Sequence, residues 1–184
     1  IQIVDLTYRI VTGPTHLGND SGMTLVTDGS TVKITPLSIA NVPPPISFRE
    51  FDINGNINDL AISKSNEKYA VLSSEGDIYF SELSLNDMKQ GKTPQINHKI
   101  SKDKYITDSN EVAKQIAFLK DLFVAVAIDS PLGSRITLFE VDDINNPFVN
   151  ESVNTTTKTV LLKSRADFNT VIIEFVDNRV VELD

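Results

Sequence analysis

Four hairpin-like segments at intervals of 44 to 58 residues, an extra apolar strand ahead of each of the last three, and no strong helical periodicity predict an all-β chain. The predicted class is a β-propeller, WD40-like in plan, with a partial ring of about three to four blades. A blade is hydrophobic on both faces and cannot bury them alone, so its neighbours must stack on it. The chain has no tryptophan and so lacks the GH…WD signature. The alternative reading is therefore a β-sandwich. Residues 1–184 are taken as part of one propeller domain. Opening on Ile1 rather than Met, they are expected to be a piece of a longer protein.

In chain order, "MTLVTDGSTVKITPL" (23–37) alternates apolar and polar residues about Asp28-Gly29. Such a pair tolerates the positive φ that tight hairpins need. "NVPPPISFREFDINGNINDL" (41–60) is expected to link one blade to the next. Its prolines stiffen the crossing, and Phe48 and Phe51 alternate with Arg49 and Asp52 on an outer strand. "INDLAIS" (57–63) is the next inner strand, and "AVLSSEGDIYFSEL" (70–83) the hairpin after it, about Glu75-Gly76. The link 84–112 is expected on the rim, with single helical turns at 84–92 and 108–117. "KQIAFLK" (114–120) and "LFVAVAIDSPLGSRITLFEV" (122–141) repeat the unit with a longer turn. After a rim loop at 142–157 come "KTVLLKS" (158–164) and "NTVIIEFVDNRVVEL" (169–183), the latter turning at Asp177-Asn178.

The 184 residues suffice for one domain with a core, and 40% hydrophobic with 23% charged residues is an ordinary globular balance. No apolar run approaches the roughly 20 residues of a membrane-spanning helix, and no signal-peptide pattern opens the chain. Without cysteine there is no disulfide, thiolate zinc site or cysteine nucleophile, and the cytoplasm is the expected compartment, with the nucleus second. The triplets at Asn19, Asn150 and Asn154 match the glycosylation sequon but read as bare surface loops.

A net charge of −8 repels phosphate backbones, which argues against direct nucleic-acid binding. Residues 85–105 depart from that balance. Lys89, Lys92, Lys99, Lys102 and Lys104 face only Asp87 and Asp103 there. The plain reading is a solvated link. The sharper one is a basic contact loop for RNA or an acidic partner.

Catalytic and metal motifs fail on inspection. "DINGNIND" puts Asp52, Asn54 and Asn56 at the first, third and fifth positions of a calcium loop, but Ile57 and Ser63 stand where glycine and glutamate are needed. Asn54-Gly55 reads better as a turn. "VPPP" (42–45) lacks the PxxP frame and flanking arginine of an SH3 ligand. His16 and His98 have no second ligand at metal spacing. There is no G-x-S-x-G elbow, phosphate loop or G-x-G-x-x-G, and "SPLGS" (130–134) has no partnered base.

"TLVTDGSTVKITPLSIANVPPPISF" (24–48) resembles the family of the Elongator complex's largest subunit, called IKAP in animals. In that family a DG hairpin also leads into a "VPPPM" segment; Ile46 replaces the methionine here. The resemblance continues through "NDLAISKSNEKYAVLSSEGDIYFSEL", "IAFLKDLFVAVAIDSPLGSRITLFEV" and "KTVLLKSRADFNTVIIEFVDNRVVELD", in order over nearly the whole chain, in wording closer to fungal than to animal members. It implies the later blades of the second of two amino-terminal propellers. It also implies a non-catalytic scaffold that gathers a radical-SAM acetyltransferase subunit and a WD-repeat subunit in support of wobble-uridine tRNA modification. The iron–sulfur cluster and acetyl-CoA site belong to another subunit. No catalytic, cofactor-binding or metal residue therefore carries over, and no cofactor is expected. The implied partners are those subunits and the rest of the same propeller, with tRNA met only indirectly and no membrane.

Two rival functions follow from the fold alone. One is an unrelated propeller adaptor for trafficking or ubiquitin ligation. The other is a propeller hydrolase with a carboxylate-lined channel, against which stands the mixed set Asp59, Lys120 and Lys163 near the inner-strand ends.

Overall fold

The structure, a computed structural model, describes residues 9–14, 22–40, 46–142 and 153–184. The prolines at 43–45, His16 and the sequon residues Asn19 and Asn150 lie outside the described residues. Four antiparallel sheets follow one another along the chain. Blade one holds β1 (Ile10–Thr12), β2 (Met23–Asp28), β3 (Thr31–Pro36) and β4 (Arg49–Asp52). Blade two holds β5 (Ile57–Ile62), β6 (Lys68–Ser73), β7 (Ile78–Glu82) and β8 (Ile96–Ile100). Blade three holds β9 (Val112–Leu119), β10 (Phe123–Ser130), β11 (Gly133–Glu140) and β12 (Val153–Thr155). Blade four holds β13 (Thr159–Ser164), β14 (Val171–Phe175) and β15 (Val180–Leu183). Each sheet is a simple meander, and the four form an open arc. A sandwich would face two sheets; these stack face on face in series.

The core lies between blades rather than within one layer. Met23, Leu25, Val32, Ile34 and Phe51 of blade one meet Leu60, Ile62, Tyr69 and Val71 of blade two. Blade two turns Ala70, Leu72, Ile78 and Phe80 toward Phe118, Val124, Val126 and Phe139 of blade three. Blade three turns Ala125, Ala127 and Ile136 toward Leu162, Val171, Ile173 and Phe175 of blade four. Strands of blades two and three are thus apolar on both faces, which is why their sequences read as continuous hydrophobic runs. Each fully buried large side chain contributes about 1.5–3 kcal/mol.

The hairpins fall where the turn residues place them. Gly29 (φ +63°), Gly76 (φ +90°) and Asn178 (φ +63°) take the left-handed conformation. The β10–β11 turn departs from expectation. Ser130 pairs with Gly133, so only Pro131 and Leu132 form the loop, which is tight rather than long. Gly133 makes this possible: its φ is +142°, and a Cβ there would lie 1.9 Å from the Thr155 carbonyl oxygen.

Both predicted rim loops contain outer strands. Residues 84–112 hold a short helix, α1 (Leu85–Lys89), then β8, then a 3₁₀ turn (Lys102–Lys104). Ser84 caps α1, its hydroxyl accepting from the Asp87 amide at 3.1 Å. Instead of a helical turn, 108–117 leads into β9. Residues 142–157 supply β12, where Asn154 pairs with Arg135. Outer strands pack on one side only and carry polar residues on the other, so their pattern resembles loop sequence.

The link 41–60 does contribute the outer strand β4, but period two separates its aromatics. Phe48 precedes the strand, whereas Arg49 and Phe51 share a strand face. The Arg49 guanidinium lies over the Phe48 ring, 4.5 Å from its centre.

Candidate interaction surfaces

The inner strands converge on the axis, β1 beside β5, β5 beside β9 and β9 beside β13. The pairing of β5, β9 and β13 with the next strand skips one residue in each, namely Asn58, Lys114 and Val160. A bulge frees the skipped residue's carbonyl from the ladder. In every case the preceding blade satisfies it. Arg9 Nε donates to Asn58 O at 3.3 Å, Asn58 Nδ2 to Lys114 O at 3.2 Å, and Gln115 Nε2 to Val160 O at 2.9 Å. The amide two residues further on is held as well. Ile116 N donates to Asp59 Oδ2 at 2.9 Å, and Leu162 N to Gln115 Oε1 at 2.6 Å. Asn58 and Asp59 therefore staple β5 to the main chain of β9, and Gln115 staples β9 to that of β13, while Arg9 reaches the main chain of β5 from blade one.

This geometry gives Asp59 a structural post. Burial pushes its carboxyl above the usual range, outweighing the amide bonds from Ile116 and Leu60 and the nearby Arg9 charge. Asp59 and Lys163 both line the axial cavity of about 370 Å³, with Arg9 and Gln115. Lys120 stands apart from them. It occupies the β9–β10 turn at φ +59°, where its amide donates to Phe168 O at 2.8 Å and its carbonyl accepts from Lys64 N at 3.3 Å. The three residues weighed for a hydrolytic channel are not assembled into one carboxylate site.

The five lysines are spread over α1, β8, the 3₁₀ turn and the chain between them, rather than along one loop. Lys92 Nζ lies 2.6 Å from Asp87 Oδ1, and Lys99 Nζ 2.6 Å from Asp77 Oδ2. Lys99 also sits 5.3 Å from the centre of the Tyr79 ring. The Lys102 amide donates to Asp77 Oδ1 at 3.0 Å. Burial alone would push the Asp77 carboxyl up, but its bonds to Lys99 and the Lys102 amide hold it below the usual range. Lys89 ends α1, where a cation suits the helix C-terminus, and Lys104 ends the 3₁₀ turn.

Blade one anchors this segment through a residue that sequence reasoning passed over. Arg49 donates from Nη2 to Met88 O at 2.8 Å, from Nε to Lys92 O at 3.0 Å, and from Nη1 to Phe48 O at 2.8 Å. The guanidinium fork suits three carbonyls at fixed angles. Nothing in the sequence marks it beyond an arginine next to a phenylalanine. On β8, His98 stacks on Phe80 with ring centres 4.7 Å apart. Burial depresses its imidazole below the ordinary value, and the facing pair Asp142 and Lys68 pull in opposite directions. Among the described residues no group of three histidine or carboxylate side chains could hold a metal ion.

Known proteins share both the sequence and the fold. A family model described as the ELP1 N-terminal second beta-propeller matches residues 26–184. Elongator complex protein 1 of Saccharomyces cerevisiae is 40% identical over 184 residues, which is 100% of this chain and 14% of that protein. The chain thus spans a small part of the relative it matches. The crystal structure of the Myceliophteria thermophila Cps50 (Swd1) β-propeller domain superposes with a TM-score of 0.63 at 12% identity, over 95% of this chain and 52% of that one. At that identity the likeness bears on the fold alone.

Proposed function

The chain belongs to the ELP1 second β-propeller family, and on that premise we propose that it is a non-catalytic scaffold segment of the Elongator complex. The observation that carries the proposal is the 40% identity to an Elongator subunit along the entire chain. The use of the axial polar side chains supports it. Asn58, Asp59 and Gln115 are engaged with neighbouring main chain, and such an arrangement suits a rigid platform.

In this reading the propeller helps to organise a radical-SAM acetyltransferase subunit and a WD-repeat subunit. It serves wobble-uridine tRNA modification through them and needs no cofactor of its own. It works in the cytoplasm, and also in the nucleus. No described helix is long and apolar enough to cross a membrane. tRNA is met only through the assembled complex. The five lysines at 89–104 are proposed as part of the blade's edge, because Lys92 and Lys99 already have carboxylate partners.

Affinity purification of the full-length protein, with mass spectrometry of what accompanies it, tests this. Recovery of both subunits in near-equal amounts is expected. Coat or ubiquitin-ligase proteins in their place would overturn the assignment and favour an unrelated adaptor.

A further inference from the structure

Asn54-Gly55 is the one Asn-Gly pair in the sequence, and the bend it makes joins β4 of blade one to β5 of blade two. Main-chain bonds fix the link on either side of it. Ile53 N donates to Ser30 O at 3.0 Å, Ile57 N to Gly29 O at 3.2 Å, and Ser74 N to Asn56 O at 2.8 Å. The pair itself is exposed. Among the described residues, neither the Asn54 carboxamide nor the Gly55 amide has a hydrogen-bond partner. Gly55 has a φ of +99° and nothing within 4 Å of where a Cβ would stand, so the bend is uncrowded there. One bond does reach it. The Tyr79 hydroxyl donates to Asn54 O at 3.1 Å. That oxygen and the Gly55 nitrogen belong to the same peptide group. A donor at the oxygen stabilises the negative charge that the group carries when its N–H is lost. Tyr79 is itself buried, and Lys99 Nζ lies 5.3 Å from the centre of its ring.

We propose that Asn54 is a self-modifying site, at which the Gly55 nitrogen displaces ammonia from the Asn54 carboxamide and water then opens the ring so formed. The Gly55 N–H gives up its proton, and the nitrogen bonds to Asn54 Cγ. The Cγ–Nδ2 bond breaks, and Nδ2 leaves as ammonia, taking up one proton to replace the one that Gly55 lost. The product is a cyclic imide. Water adds to either imide carbonyl: opening at Cγ gives aspartate, and opening at the main-chain carbon gives isoaspartate. Water is the only co-reactant, and nothing is oxidised or reduced. Either product adds a negative charge between blades one and two. Isoaspartate also routes the main chain through Cβ, which lengthens the link by a methylene, and its freed carboxylate keeps the Tyr79 hydroxyl as donor. The related pair Asp28-Gly29 is held back, because Asp28 Oδ2 lies 2.5 Å from Lys33 Nζ and Asp28 pairs with Thr31 in the hairpin ladder. Every other asparagine precedes a residue larger than glycine, whose side chain hinders ring closure.

The test incubates the full-length protein for days at mildly acid and mildly alkaline pH. Peptide mass spectrometry follows each asparagine, and electron-based fragmentation separates aspartate from isoaspartate. The same protein unfolded in urea is the reference. The expected result is conversion at Asn54 in the folded protein, faster at the higher pH and within a few-fold of the reference. Asn178, which also sits in a turn at positive φ but precedes Arg179, should lag several-fold behind. A folded protein that keeps the Asn54 amide while the unfolded reference converts overturns the proposal. Tyr79→Phe removes the donor and keeps the ring. It should slow conversion at Asn54 several-fold in the folded protein and leave Asn178 and the unfolded rate unchanged. An unchanged folded rate at Asn54 would overturn the part given to Tyr79. The comparison of folded with unfolded wild type decides the site itself even if that variant does not fold.

Discussion

The Asp59 carboxylate on β5 accepts the Ile116 amide of β9 at 2.9 Å, across the seam between blades two and three. A half-buried acid is here fixed to the main chain of its neighbour, and its ionisation is tied to the junction. Its folded pKa is raised above the ordinary 3.8. Above 3.8 and up to that raised value, the folded state binds more protons than the unfolded one. Stability from this group therefore falls as pH rises through the window. Asp59→Asn keeps an acceptor for Ile116 and has no charge to bury, so it should abolish that slope and hold or raise stability at neutral pH. Asp59→Leu leaves the amide unpaired and should cost about 1–3 kcal/mol. Urea unfolding at several pH values separates the two; equal loss in both variants would contradict the role given to the acceptor.

Gly133 and Gly29 make a matched pair for the β-turns. Alanine at Gly133 meets the Thr155 carbonyl oxygen at 1.9 Å on top of an unfavourable φ, so Gly133→Ala should abolish pairing of β12 with β11. Gly29 has open space around it and only the φ of +63° to answer for. Gly29→Ala should cost about 1–2 kcal/mol. Thermal melts should rank them in that order.

Arg49→Lys keeps the charge but not the fork. One ammonium cannot reach the Met88, Lys92 and Phe48 carbonyls together. The loss should be about 1–2 kcal/mol and local. Hydrogen exchange would show it as faster exchange over 85–92 with the inner strands unchanged; uniform acceleration would point to a global role instead.

Lys99→Met tests the Asp77 cluster. The folded pKa of Asp77 lies below 3.8, so its stabilisation is present above that value and is lost as pH falls through the folded pKa. Without Lys99 that acid-side loss should shrink, while at neutral pH the cost stays within about 1 kcal/mol because the pair is partly exposed. Acid titration of unfolding, wild type against variant, is the measurement.

Serine at Lys89, Lys92, Lys99, Lys102 and Lys104 together should leave complex assembly and tRNA affinity unchanged. Electrophoretic mobility shifts with the purified complex read this directly. A clear fall in tRNA affinity with assembly intact would make the segment an RNA contact.

The inner and middle strands were legible because burial on both faces leaves apolar runs between turn residues such as Asp28-Gly29 and Asp177-Asn178. The outer strands β8 and β12 were not, whereas β4 was expected. β8 turns Asn97 and Lys99 outward, and such a polar stretch carries no sign of its pairing partner. The helical turn at 84–92 was readable from Ser84 and Asp87, a cap three residues apart. The tight turn at Pro131-Leu132 was missed because "DSPLGS" offers several turn residues, and only the pairing of Ser130 with Gly133 selects two of them. Asn58, Asp59 and Gln115 were visible as letters but not as staples. Their partners are main-chain atoms 45 to 57 residues away, and main-chain atoms leave no mark in a sequence.

That last property bears on how such a chain can change over time. Because each staple grips peptide groups that every amino acid but proline supplies, a blade can alter the side chains at the gripped positions without breaking its neighbour's hold. At the staples, adjacent blades can drift without matched replacements, whereas the apolar side chains packed between them must still fit one another. The repeat then survives in geometry after it has faded from the letters, and the four blades of this chain share a plan with little common wording.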